Sequence, residues 1–401
     1  MTEPVKALYI HIPYCISKCA YCDFFSKAQG YTIPDDYVTA LCNEIKYRIK
    51  TYKIKELQTI YIGGGTPSLL SSSQFDSIFN CIKNLADINP KNNLESKPDI
   101  EITVEVNPDD LSENLLETLA SCGVTRISCG IQSMSNPVLK RACRRAGSEV
   151  NRKALKLLKE KWQGQLSLDL ISALPEESQE SFLAGLKEVV AAEPDHISLY
   201  SLTIEETTPF GRQLDSGQLS YDFDAADKLW LKGRDFLEEQ GYRWYEVSNF
   251  SKPGKECRHN LIYWTHQSYL GCGSGACGTI YKKDGSGIRW TNTTELKKYI
   301  SFWHDAADSF DDAPCDREEI DGQTSRFEFF MMGLRKLEGI SKKEYEDCFG
   351  EELPEKFLEV FGSWQEKGLC YRTGLDAGGA QRFAMSREGM LFLNRFNMEL
   401  L

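Results

Sequence analysis

No apolar run in this 401-residue sequence approaches the about 20 residues that a membrane-crossing helix needs. The chain opens Met-Thr-Glu-Pro-Val-Lys, followed by a short apolar stretch from Ala7 to Ile12 that His11 interrupts, which lacks the shape of a signal peptide. A cytoplasmic location without a transmembrane segment is expected, peripheral membrane association staying open. Positive charge is also in short supply: 47 Lys and Arg stand against 59 Asp and Glu, a net charge of -12. That balance argues against a broad nucleic-acid or anionic-membrane surface, since both need a basic excess. Histidines number only five. Fourteen cysteines are present, but a reducing compartment excludes a disulfide framework. Most of them stand singly, among them Cys42, Cys81, Cys122, Cys143 and Cys348, and read as small buried or half-buried hydrophobes.

What is present is an alternation of short β-rich runs and longer helical ones. Strands are expected at Ala7–Ile12, Thr59–Ile62, Ile100–Val106, Arg126–Ile131, Leu166–Ile171 and His196–Leu202. Helices are expected between them, at Asp35–Lys50, Gln74–Asn84, Glu113–Ser121, Pro137–Arg145 into Arg152–Lys161, and Glu180–Ala192. Ser112 is placed to cap the third, with Gly123 just past its end. About six strand-helix units imply parallel strands with right-handed crossovers. The expected fold class is therefore α/β, a (β/α)6-type partial TIM barrel over residues 1–300. Residues 301–323 are polar and read as a linker. Residues 324–401 read as a small C-terminal, helical, winged-helix-like domain. From Asp316 onward 12 Lys and Arg face 17 Asp and Glu, so DNA reading is not expected there.

The clustered cysteines are Cys15-Ile-Ser-Lys-Cys19-Ala-Tyr-Cys22. Three thiolates on a tight loop suit three irons of a cubane cluster and leave the fourth iron open. Zinc is the alternative, but a structural zinc site wants four ligands in paired knuckles, and no second knuckle completes one. One unit later, Gly63-Gly64-Gly65 follows an apolar strand and precedes Thr66-Pro67-Ser68, a turn that lets backbone approach a ligand closely. Glu105, Gln132 and Asp169 lie in or at the ends of strands, with Arg144 on an intervening helix. Taken singly these are solvated or capping groups; taken together they converge on the mouth of a strand bundle, as in a ligand site.

The cysteine spacing, with Tyr9-Ile-His-Ile-Pro-Tyr before it and Asp23-Phe24 after it, resembles the radical S-adenosylmethionine (SAM) superfamily. Within it the chain resembles the branch of coproporphyrinogen dehydrogenases and HemW heme chaperones. Further carriers are Asp169-Leu-Ile, His196-Ile-Ser-Leu-Tyr-Ser-Leu, Tyr245-Glu-Val-Ser-Asn-Phe250, Arg258-His-Asn-Leu-Ile-Tyr-Trp264 and Gly333-Leu-Arg335. The resemblance implies a [4Fe-4S] cluster on Cys15, Cys19 and Cys22. It also implies SAM against Tyr9, Tyr21, Gly64, Gly65, Thr66, Glu105, Gln132, Arg144 and Asp169. Two positions depart from the family pattern: Ala146 and Cys277 stand where relatives often carry His.

Two functions fit this scaffold. One is an oxygen-independent coproporphyrinogen III dehydrogenase, in which a radical generated from SAM starts the decarboxylation of two propionates. The other is a heme chaperone that binds heme and passes it to an acceptor protein. Phe24 stands where the dehydrogenases have a further Cys, and only fourteen residues precede Cys15, where the dehydrogenases carry a longer segment. His259-Asn260-Leu-Ile-Tyr263-Trp264 matches the chaperone branch. A single histidine beside aromatics is ordinarily a structural hydrogen-bonder. The intact six-position motif instead implies His259 as an axial heme ligand. The chaperone is the expected function.

Overall fold

Thr59-Ile-Tyr-Ile-Gly-Gly64 shows how the sheet is built: Ile60 and Ile62 point one way, and Thr59 and Tyr61 the other. In a computed structural model of the chain, residues 4–28, 30–88, 100–304, 312–375 and 381–401 are described. Six parallel strands lie side by side in chain order: β1 (Ala7–Ile12), β2 (Thr59–Gly64), β3 (Glu101–Val106), β4 (Arg126–Gln132), β5 (Gln165–Ser172) and β6 (His196–Ser201). Helices return the chain between them. The strand beyond β6 is β8 (Asn249–Ser251), with β7 (Arg243–Glu246) outside it, both antiparallel. On the other flank β9 (Tyr269–Cys272) runs parallel to β1. It continues into the antiparallel strands β10 (Cys277–Tyr281), β11 (Gly287–Asn292) and β12 (Cys315–Ile320). The result is a twelve-stranded open sheet whose centre is the α/β partial barrel.

Buried parallel strands ordinarily read as continuous apolar runs. These do not. Ile10, Ile60, Ile102, Val104, Ile127, Leu168 and Leu199 are fully or almost fully buried and share one core with Leu41, Ile45, Phe75, Ile78 and Leu119 of the helices. The alternate residues are polar, and the register sets them in rows. Tyr9, Tyr61, Thr103 and Arg126 are neighbours across β1 to β4; Glu105, Ser128, Ser167 and His196 across β3 to β6; and Gly130, Asp169 and Ser198 across β4 to β6.

Helix starts follow local chemistry. Ser112 accepts from Leu115 N at 3.2 Å at the head of helix Glu113–Cys122, as expected. Ser71 and Gln74 make a reciprocal capping box at helix Ser72–Lys83. The expected linker is different from what its polarity suggested. Helix Leu296–His304 runs into its first residues, and Cys315–Ile320 is β12, paired with β11 along its whole length. Residues 305–311 lie outside the described residues. The Asp316, Glu318 and Glu319 side chains of β12 blunt a sheet edge, which is why an edge strand read as a polar connection.

The C-terminal part has helices Gly322–Gly333, Lys342–Phe349, Glu355–Glu366 and Leu393–Leu400 with a small sheet, Ile340–Ser341, Cys370–Leu375 and Gln381–Met385. Stacked and edge-on rings of Phe330, Tyr345, Phe357, Phe361 and Phe383 fill it. It joins the barrel through Leu337 N, which donates to Tyr245 O at 3.0 Å, and through the Arg335 guanidinium over the Trp264 ring at 5.2 Å.

One buried ion pair knits the β1–β9 seam. Glu44 and Arg48 of helix Asp35–Thr51 are both fully buried and pair at 2.6 Å. Glu44 also accepts from Gly273 N at 2.8 Å, Tyr299 Oη at 2.6 Å and Asn292 Nδ2 at 2.8 Å. Removing one partner of such a pair leaves an uncompensated buried charge. Glu44→Leu is therefore expected to lose about 3–5 kcal/mol in denaturant unfolding. The double variant Glu44→Leu/Arg48→Met should recover part of that loss. A single-variant loss below about 1 kcal/mol, the range of an exposed pair, would contradict this account of the seam.

Candidate functional site

The cysteine loop leaves the C-terminal end of β1. Tyr14 and Cys15 pair with Lys27 and Ala28, which closes the loop at its base. Ala20 is its anchor: its N–H donates to Ala142 O at 3.0 Å, its carbonyl accepts from Phe210 N at 3.0 Å, and its side chain is buried with Val138, Ala142 and Phe210. Tyr21 packs against the same cluster. Held this way, Cys15, Cys19 and Cys22 are all half-buried and free of disulfides. Burial pushes the Cys22 thiol up, with the neighbouring Cys19 and Cys15 adding to it. Among the described residues the three thiols do not converge on one point that a single ion could occupy.

A hydrogen-bonded bridge ties two of the thiols together. Thr66 Oγ1 donates to Cys15 Sγ at 3.4 Å, and Asn107 Nδ2 donates to Thr66 Oγ1 at 3.2 Å. Arg144 Nη2 donates to Asn107 Oδ1 at 3.0 Å and to Gly130 O at 2.6 Å, while its Nη1 reaches Cys19 Sγ at 3.6 Å. Arg144 Nε is buried with no protein partner among the described residues.

The glycine turn lies beside this bridge. Gly64 has φ +110, and a Cβ there would sit 2.5 Å from the His11 ring. Gly65 donates to Ile12 O at 2.8 Å, and a Cβ on it would meet Tyr14 O at 2.6 Å. Only glycine lets the backbone come this close to the base of the cysteine loop.

Inside the barrel mouth, Glu105 accepts from Tyr61 Oη at 2.8 Å and from Gly64 N at 3.0 Å. Burial pushes its carboxyl up to about 7, with Asp169 adding to the shift and the two hydrogen bonds opposing it. Asp169 is likewise raised by burial, against hydrogen bonds from Ser198, Ser128 and Ser167; Ser128 Oγ lies 2.8 Å from its Oδ2. Gln132 follows a β-bulge and takes φ +65, a strained conformation of the kind found beside ligands. Gly130 leaves room for the Gln132 amide, whose Nε2 is 2.8 Å from where its Cβ would be. Tyr9 Oη bonds His11 Nδ1 at 2.8 Å, and His11 Nε2 bonds Phe25 O at 2.9 Å, so strand, ring and loop lock together. Thr103 Oγ1 is buried without a protein partner among the described residues.

The structure thus gathers Cys15, Cys19, Cys22, Tyr9, Tyr21, Gly64, Gly65, Thr66, Glu105, Gln132, Arg144 and Asp169 at one end of the barrel. It does not bring His259 there. His259 opens helix Arg258–Trp264, which plugs the opposite end, where the strands begin. Its N–H donates to Glu101 at 2.9 Å, Nδ1 bonds Thr59 Oγ1 at 2.8 Å, and Nε2 bonds Tyr263 Oη at 2.9 Å. The ring is 1% exposed, and burial pushes its pKa down to about 3, so it is neutral. Of the departing positions, Ala146 is buried, and Cys277 is half-buried with Tyr269 Oη 3.8 Å from its sulfur.

Asn107, Ala20, Tyr61, Ser128 and Ser198 are site residues that the motif reading missed. The signal for the serines was present, because polar and apolar residues alternate through Arg-Ile-Ser-Cys-Gly-Ile-Gln132 and His-Ile-Ser-Leu-Tyr-Ser201.

Gly65→Ala is expected to push the turn off the cysteine loop. Iron and sulfide content after reconstitution should fall at least twofold while far-ultraviolet circular dichroism is unchanged. Full iron loading would contradict the close-approach argument.

Residues 9–189 match the Radical SAM superfamily and residues 320–392 the HemN C-terminal domain. The chain is similar to the "Heme chaperone HemW" of Escherichia coli K12, 35% identical over 343 residues, 85% of each chain. It is 34% identical to the protein of that name from Haemophilus influenzae Rd over 98% of this chain and 96% of that one. With the Bacillus subtilis 168 protein of that name it shares 32% identity over 92% and 93%. In fold it is similar to the coproporphyrinogen III oxidase HemN of E. coli, a radical SAM enzyme, with a TM-score of 0.79 at 20% identity, covering 100% of this chain and 90% of that one. Among the described residues no helix is long and apolar enough to cross a membrane. With a three-thiol loop over a polar barrel mouth and relatives matched along nearly their whole length, this chain belongs to the HemW family of the radical SAM superfamily.

Proposed function

We propose that this chain is a heme chaperone that carries a [4Fe-4S] cluster, SAM and heme and hands heme to an acceptor protein. The observation that carries the reading is the bridge Cys15–Thr66–Asn107–Arg144–Cys19 at the barrel mouth. It aims neutral and cationic donors at two of three thiols on one loop. The donor set fits an iron–sulfur cluster, whose sulfurs are stabilised by such hydrogen bonds. When bound, the cluster supplies one iron without a protein ligand, to which SAM can bind.

Around that position this chain's own residues do the holding. Gly64 and Gly65 let backbone approach, and Thr66 orients Cys15. Glu105 and Asp169 offer carboxylate oxygens, while Gln132, Arg144, Tyr9 and Tyr21 complete the polar wall. Phe24 is 72% exposed beside the loop where the dehydrogenases of the resembling branch have Cys, which supports carriage over decarboxylation.

Heme ligation falls to His259 in this reading. Both ring nitrogens are already bonded, so ligation exchanges the Tyr263 hydrogen bond at Nε2 for iron. The neutral ring suits a metal ligand. The acceptor is a protein whose identity the residues do not specify.

An anaerobic heme titration of cluster-reconstituted protein tests this. Saturable binding near one heme per chain is expected, weakened at least tenfold by His259→Ala and left intact or tightened by Tyr263→Phe, which releases Nε2. Weak, unsaturable binding in every variant would return oxidative decarboxylation of coproporphyrinogen to first place. Strong binding unaffected by His259→Ala would reject this ligand.

A further inference from the structure

Cys42 and Cys81 stand 39 positions apart and carry no motif, yet the fold brings them together. Cys42 lies on helix Asp35–Thr51 and Cys81 on helix Ser72–Lys83, the helices that follow β1 and β2. Cys81 Sγ donates to Cys42 O at 3.4 Å and Cys42 Sγ donates to Ser77 O at 3.8 Å, so each thiol reaches across to the backbone of the other's helix. They are 8% and 7% exposed. Both line a surface groove of about 580 Å³ between the two helices, together with Asn43, Lys46, Ser77 and Asn80. Small oxidants entering this groove therefore meet two thiols set between the same two helices.

We propose that Cys42 and Cys81 are a peroxide-reactive dithiol that closes to a disulfide and ties the two helices together. The Lys46 ammonium, one turn along from Cys42 on helix Asp35–Thr51, lines the same groove and favours a thiolate at either sulfur. Whichever sulfur reacts first, the other resolves it.

One thiol of the pair ionises, and its sulfur attacks one oxygen of hydrogen peroxide. The O–O bond breaks, the hydroxide that leaves takes up the proton lost on ionisation, and that cysteine becomes a sulfenic acid. The second sulfur then attacks the first, the S–O bond breaks, and water leaves with the second thiol's proton. The pair loses two electrons, and peroxide is reduced to two molecules of water. A dithiol reductant reverses the bond by exchange.

The bond would staple the helices behind the two strands that carry the cysteine loop and the glycine turn.

The test is mass spectrometry of the cluster-loaded protein after stoichiometric hydrogen peroxide, alkylation and digestion without reductant. A Cys42–Cys81 linked peptide should be the dominant disulfide species and should vanish after dithiothreitol. In Cys42→Ser, Cys81 should instead be trapped as a sulfenic acid by dimedone. If Cys42 and Cys81 both stay fully alkylated while the exposed Cys143 is oxidised, the proposal is overturned.

Discussion

Side chains on a β-strand alternate between its faces, and in this chain the alternation is spent unusually. The six parallel strands turn Ile, Leu and Val outward to the helices and Tyr, Thr, Ser, Glu, Asp, Arg and His inward. A parallel barrel usually fills its interior with branched apolar side chains. Here the interior is a hydrogen-bonded lining, and everything else follows from keeping it satisfied. Glu101 and Arg126 pair at 3.2 Å, Ser167 bonds His196 at 2.7 Å, and His196 reaches Tyr245 Oη at 2.9 Å. Arg144 Nε, a polar group left over at the cysteine end, is one that a bound cofactor would meet.

The two ends of the barrel then have different tasks. At the end where strands finish, the cysteine loop is pinned by Ala20 and by the lock of Tyr9, His11 and Phe25, and is bridged through Asn107 and Arg144. At the end where strands begin, helix Arg258–Trp264 closes the interior by donating Arg258 N and His259 N to Glu101. Trp264 at the end of that helix lies under Arg335 of the C-terminal part. The second motif is therefore a plug joined to the C-terminal part, and its histidine is buried there, away from the cysteines.

Much of this was legible. Cys15, Cys19, Cys22 and the glycine turn announce themselves because their spacing has few other uses, and the six-strand order follows from strand-helix alternation. Glu105, Gln132 and Asp169 were legible as polar groups at strand ends. Cys315–Ile320 was not, because the charges that protect an edge strand are those that mark a linker. The burial of His259 was not either: a motif tells which residues stand together but not which end of a barrel they close. Cys42 and Cys81 are buried as read, but their position between the same two helices was not legible, since contacts between successive crossover helices leave no periodic trace in sequence.

The central claim is that the polar barrel mouth brings SAM onto a cluster held by three cysteines. Electron paramagnetic resonance of the reduced, reconstituted protein with and without SAM tests it most directly. The account predicts a [4Fe-4S]+ spectrum whose g-values shift when SAM is added and shift less in Glu105→Gln. A cluster spectrum that SAM leaves unchanged would contradict it.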